Sequence, residues 1–429
     1  MLYSSRGRAL GRTALLFCLA VLSSCQHAAV DSVTPAAVAT DASAYQRFES
    51  DLSALMHSRN MAGLSAGIVK DGELVWAKGF GFADVEGKVP ATPDTPYRID
   101  TCSQVFASVL IMRLVEEGLV ALEDPMANYP IHPWSPDSTQ GALYASKAVQ
   151  VRHVLSNTAQ GTPGTTFRYA PEIFADLTWV VEQGSGYSYP HALDEYILRP
   201  LALAHSVPGP QSPGFDTALA GLAKPYDAGS SNPLVAAYRV LGLQRLFEGQ
   251  PLGHAEPGLL AQASEDARRD VIGAAYTSLY GVNASVGVVS SVTDLACFDA
   301  ALDAGTLITP ASRDLLFAPA QSPEGVTLPM GLGWFVQRWE SVTLVWQFGE
   351  AAPSISALYL KVPERGLTFL ALANTDRLCA GYGLSNGDIL QSPFARLFVD
   401  AFVTAPKATD PGSVEKPAPR KRVPPRRGR

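Results

Sequence analysis

From Tyr45 to His57 the apolar and aromatic positions fall at Phe48, Leu52, Leu55 and Met56, the spacing of one face of a helix. The pattern then changes to short extended runs. Leu64–Lys70 and Glu73–Lys78, joined by Asp71-Gly72, predict a β-hairpin. Residues 101–117 are apolar nearly all round (Val105, Phe106, Val109 to Met112, Leu114, Val115) and end at Gly118, which predicts a helix inside the core. Residues 173–184 and 191–198 predict further helices. The last third reads as successive strands: Gly331–Val336, Val342–Phe348, Ile355–Val362 and Leu367–Asn374, closed by a helix over Phe394–Phe402. The predicted class is α+β: an antiparallel sheet assembled from both ends of the chain and flanked by helices, with a helical subdomain between.

The ends differ from this body. Arg6, Arg8 and Arg12, the apolar stretch Ala14–Leu22 and Cys25 form a secretory signal over 1–25, too short to span a bilayer as a helix. Leu22-Ser23-Ser24-Cys25 resembles a lipobox, whose cysteine is lipidated and becomes the mature N-terminus. Gln26 follows rather than Asp, so the inner-membrane retention signal of enterobacterial lipoproteins is missing and the outer membrane is favoured. The expected location is the bacterial cell envelope, lipid-anchored and facing the periplasm. Residues 26–44 are expected to be a tether, 45–402 the folded domain and 405–429 a disordered basic tail.

Charge supports this division. The 429 residues carry a net charge of −7, but seven Lys or Arg lie in 416–429 and three Arg in the first 25 residues. The remainder holds 23 basic and 40 acidic residues, a net −17. An acidic body excludes a nucleic-acid-binding domain. Cys102, Cys297 and Cys379 are too scattered for a disulfide framework, and no Cys or His spacing suits a metal, so no metal and no cofactor are expected. Gly63-Leu64-Ser65-Ala66-Gly67 fits the G-x-S-x-G pattern, but that elbow needs a strand, a turn and then a helix, whereas Ser65 lies in a hairpin strand.

Seven segments in order, among them "YRIDTCSQVFASVLIMRLVEEGLVALEDP", "VQVRHVLSNTAQG", "PGTTFRYAPEIFADLTWVVEQGSGYSY", "GLGWFV" and "VPERGLTFLALANT", resemble the class C β-lactamase and penicillin-binding-protein-like serine hydrolases. The resemblance runs from about residue 46 to 402, with 207–275 unmatched. It implies where catalytic groups belong, and there the chain departs from the family. The S-x-x-K motif becomes Thr101-Cys102-Ser103-Gln104. Threonine keeps a hindered hydroxyl, and an amide has no useful basicity. Of the nine lysines, only Lys416 has a serine three residues earlier, in the tail. The Y-x-N motif becomes Tyr169-Ala170-Pro171. The K-T-G or H-x-G motif aligns with Gln347-Phe348-Gly349, with Phe348-Gly349-Glu350 as the other register. The backbone N–H groups of Thr101 and Glu350 fall where the family's oxyanion hole lies.

Serine, lysine and strand cation are thus replaced, and tyrosine remains. The expected function is a lipid-anchored, catalytically impaired homologue, a pseudoenzyme that binds a small-molecule or peptidoglycan-like ligand, or a partner, in the old cleft. The alternative is an active esterase, peptidase or β-lactamase-like hydrolase using Thr101 or Cys102 with Tyr169. A purely structural envelope protein is a third reading. Thr101, Tyr169 and Gln347 are expected to meet in one site at the start of a buried helix.

Overall fold

The computed structural model describes residues 35–129, 143–144, 147–208, 218, 220–226, 282–352 and 354–404. The signal and Cys25, most of 207–275 and the 405–429 tail lie outside the described residues.

The first helix, α1 (Pro35–Ser58), starts ten residues before Tyr45, inside the stretch read as tether. Five alanines between 36 and 44 favour helix without forming an apolar face, and proline suits a first helical turn. The hairpin is formed by β1 (Gly63–Lys70) and β2 (Glu73–Asp84). A two-residue edge strand, β3 (Val89–Pro90), follows, and β4 (Tyr97–Arg98) pairs with β5 (Val289–Ser290) in a separate ribbon. The C-terminal strands are β6 (Phe335–Trp339), β7 (Val342–Ala351), β8 (Ile355–Val362) and β9 (Leu367–Ala373). Together they make a seven-stranded sheet in the order β3-β2-β1-β9-β8-β7-β6, with each neighbouring pair antiparallel. The N-terminal hairpin joins the C-terminal meander through β1 and β9, where Leu64 faces Ala373 and Lys70 faces Leu367.

Both faces of the sheet are covered, so its central strands read as continuous apolar runs rather than as alternation. Leu64, Ala66, Ile68, Trp346, Leu358, Leu360 and Phe369 point into one layer, beneath α1 and the closing helix. Val69, Val345, Tyr359, Leu370 and Leu372 point into the other, beneath α2 (Gln104–Glu116) and the helix Val292–Asp303. From Gln104 to Met112 every residue of α2 is buried, as its all-round apolar sequence requires. The three-state pattern differs from expectation mainly at ends. The 173–184 helix is two pieces, Pro171–Phe174 and Leu177–Ser185; the 191–198 helix is an α-turn, Tyr189–Leu193, running into a wider π-turn; and the closing helix loosens likewise after Phe398. The Gly331 strand begins only at Phe335, because Gly333 adopts φ +83° and its N–H donates to the Leu155 carbonyl. Among the described residues no helix is long and apolar enough to cross a membrane.

Candidate active site

Thr101 sits on a 3₁₀ turn, Asp100–Ser103, that leads into α2, so the predicted 101–117 helix is tightened at its first turn. The turn packs directly on β7 because position 349 is glycine: a Cβ there would come within 1.9 Å of the Ile99 carbonyl oxygen. That contact brings together the two motifs that are 243 residues apart in sequence.

Thr101 is 7% exposed, and its hydroxyl donates to the Phe348 carbonyl at 2.9 Å. The hydroxyl at the nucleophile position therefore ties the turn to the strand. Gln104 and Gln347 are both fully buried and face each other: Gln347 Nε2 donates to Gln104 Oε1 at 3.0 Å. Gln347 Nε2 also donates to the Gly333 carbonyl at 3.1 Å, and its Oε1 accepts from the Phe348 N–H at 3.0 Å. Gln104 Nε2 donates to Ser285 Oγ at 3.1 Å. Two neutral amides thus meet in the buried space between α2 and β7, joined by a hydrogen bond. Gln347 projects to the side of α2 while Phe348 projects to the opposite layer.

Tyr169 is carried by a loop that Asn157 holds, its Oδ1 accepting the Ala170 N–H at 2.8 Å. Its ring packs on Phe335 and Phe348, each with centroids 5.5 Å away. Burial pushes the phenol well above its usual range, with the facing Thr101 hydroxyl opposing the rise and the Asp100 charge adding to it. Thr101 donates elsewhere, so the phenol oxygen is buried without a hydrogen-bond partner. A proton-accepting tyrosine needs its pKa lowered; here it moves the other way.

Cys102 is fully buried, and burial followed by the Asp100 charge pushes its thiol up, away from the thiolate that a nucleophile requires. Lys361, on the neighbouring strand, is committed elsewhere, paired with Asp299 at 2.5 Å and Asp303 at 2.9 Å. Ser65 of the G-x-S-x-G pattern donates to the Thr92 carbonyl at 2.7 Å from within β1, far from any elbow geometry.

The residue sequence reasoning missed is Asp100. Its Oδ2 accepts the Glu350 N–H at 3.2 Å, and the N–H of Thr101 faces the same carboxyl. Burial raises its pKa to about 6 against those donors. The available signal was an acid immediately before the nucleophile position. Ser285, the acceptor for Gln104, carried no signal at all. Glu350 is half-buried, and burial, then the Asp376 charge and then that of Asp100, push its carboxyl up to about 7. A raised folded-state value means stability is complete below about 4.5 and is lost as pH climbs towards 7. Glu350→Gln is therefore expected to stabilise the protein at pH 8 by roughly 1–2 kcal/mol, after discounting for solvent screening, and to change little near pH 4. Chemical denaturation at both pH values checks this; an equal effect at the two would remove the titration argument.

The buried helix start and the flanking antiparallel strand bring Thr101, Gln104 and Gln347 to one place, with Tyr169 facing Thr101. The sequence matches the β-lactamase family over residues 48–381, and the chain belongs to that family. Among solved structures it is similar to the octameric penicillin-binding protein homologue from Pyrococcus abyssi (TM-score 0.57, 20% identity, 83% of this chain and 77% of that one). It is similar too to the D-amino acid amidase from Ochrobactrum anthropi SV3 (TM-score 0.58, 19% identity, 84% of this chain and 98% of that one). At such identities the likeness is one of fold. Among curated relatives, Protein flp of Staphylococcus aureus is 23% identical over 173 residues, 34% of this chain. The human serine beta-lactamase-like protein LACTB, mitochondrial, is 39% identical over 67 residues, 16% of this chain. The matched stretch covers 35% of the former and 12% of the latter.

Proposed function

We propose that this chain is a lipid-anchored, non-acylating member of the β-lactamase family that acts by reversible binding at the former active-site cleft. The carrying observation is the Gln104–Gln347 amide pair, which fills with neutral, mutually satisfied groups the place where acylation needs a base and a cation. The hydroxyl of Thr101, held on the Phe348 carbonyl, adds to it. A ligand held there would meet no base and no cation, which suits a peptidoglycan-like fragment or a protein partner held without covalent chemistry. Cys102 and Tyr169, the alternative machinery, are both pushed towards their protonated forms by burial.

Incubation with benzylpenicillin followed by intact-mass measurement tests the reading. The unmodified mass is expected throughout. A gain equal to the penicillin, abolished by Thr101→Ala, would establish a threonine hydrolase, and one abolished by Cys102→Ala a cysteine hydrolase. The anchor is tested separately. Cys25→Ala is expected to move the protein from the membrane fraction to the soluble fraction or to leave an unprocessed precursor. Unchanged fractionation would show that Cys25 holds no lipid.

A further inference from the structure

Two backbone N–H groups from distant parts of the chain converge on one carboxylate. Glu350 on β7 donates to Asp100 Oδ2 at 3.2 Å, and the Thr101 N–H faces the same carboxyl and favours its ionised form. These are the two donors that, in an acyl-transfer site, would stabilise the developing oxyanion. Asp100 reaches them with φ +46°, in the left-handed region that carries strain for a residue with a side chain. Glu350 and Asp376 set further negative charge around the same position. A carboxylate is therefore kept there against backbone strain, desolvation and like charge, and the paired donors are what hold it.

We infer that Asp100 is a built-in occupant of this anion site, a carboxylate plug that holds both donors and keeps an external oxyanion out. The inference rests on the non-acylating reading and adds what fills the vacated oxyanion position. With the plug removed, the site is one for a small monoanionic carboxylate, the chemistry it already holds.

The experiment is replacement of the lost carboxylate by acetate. Asp100→Gly removes the side chain and suits the left-handed backbone, so the fold is expected to survive. At pH 7.5, acetate is expected to shift the Glu350 and Thr101 amide resonances of this variant in a saturable way and to slow exchange of the Glu350 amide proton. The wild type should require roughly tenfold more acetate or more for the same shift, because its own carboxylate competes at far higher effective concentration. Asp100→Asn, which keeps the acceptor but not the charge, should fall between. Equal responses in wild type and Asp100→Gly, or none in either, would reduce Asp100 to a structural tie and overturn the inference. If the glycine variant fails to fold, the comparison of Asp100→Asn with wild type decides in the same way. The readout is non-covalent, so it is independent of the penicillin experiment: an adduct there would sink the non-acylating reading without touching the acetate result.

Discussion

Thr101→Ser alone is expected to give no adduct with a fluorescent fluorophosphonate, and Gln104 is the reason. Serine removes the methyl that hinders attack, but the hydroxyl still meets an amide instead of an amine. A serine hydrolase that lacks its nucleophile or its base loses roughly a million-fold in turnover, and the loss is not additive, so repairing one member of the pair recovers little. The buried amide pair sharpens this. Gln347 presents Nε2 to position 104, a donor aimed at a donor if Gln104 becomes lysine. Thr101→Ser with Gln104→Lys is therefore expected to label slowly, and the addition of Gln347→His, whose neutral ring can accept from the amine, to label faster. In the productive reaction the Oγ–P bond forms as P–F breaks, fluoride leaves and the proton passes to the lysine. Gel fluorescence against time reads all three variants. Rapid stoichiometric labelling of Thr101→Ser would show that a base other than residue 104 serves the site.

A loss of about 3–5 kcal/mol is expected for Lys361→Met. Lys361 is 2% exposed and lies between the sheet and the helix Val292–Asp303. Its amine donates to Asp299 at 2.5 Å, to Asp303 at 2.9 Å and to Thr368 at 3.1 Å, while the Tyr359 hydroxyl donates to the same Asp299 oxygen at 2.5 Å. Methionine fills the volume but leaves Asp299, which is fully buried, without its countercharge. Coulomb attraction in such a place does little more than offset desolvation, so the whole cluster contributes modestly while its interruption is costly. The double change Lys361→Met with Asp299→Asn is expected to recover much of the loss. Urea midpoints of the two variants measure this, and equal midpoints would mean that the unpaired charge is not the cause.

What the sequence disclosed follows from the range of each interaction. The hairpin, the C-terminal meander and the core helix were legible because alternation and all-round apolarity are local signals of burial. That both ends of the chain build the sheet was expected from the element order, but the β1–β9 junction itself was not legible, since nothing in Leu64–Lys70 names Leu367–Ala373 as its partner. At the site, positions 101, 104 and 347 were marked by departure from a motif and position 169 by the tyrosine that remains. That Gln104 and Gln347 would bond to each other could not be read, because the partner of a buried amide is set by the packing of α2 on β7. Asp100 escaped notice for a related reason: its role depends on a left-handed backbone angle and on an N–H far away in sequence, and neither leaves a periodic trace. The alanine-rich start of α1 misled in the opposite direction, because small residues form helix without announcing a face.

The pairing of β1 with β9 also sets a schedule for folding. The central strand of the sheet, β9, is the last strand made, and its neighbour β1 comes from the N-terminal hairpin, about three hundred residues earlier in synthesis. Closing so long a loop raises the contact order and slows the search for the native state. Until Leu367–Ala373 has emerged, the hairpin has one bare edge and an uncovered apolar face, so the growing chain cannot finish its core. Native structure is therefore an event of the completed polypeptide. A chain cut before Leu367 is expected to remain protease-sensitive throughout, with the hairpin and α2 no better protected than the rest.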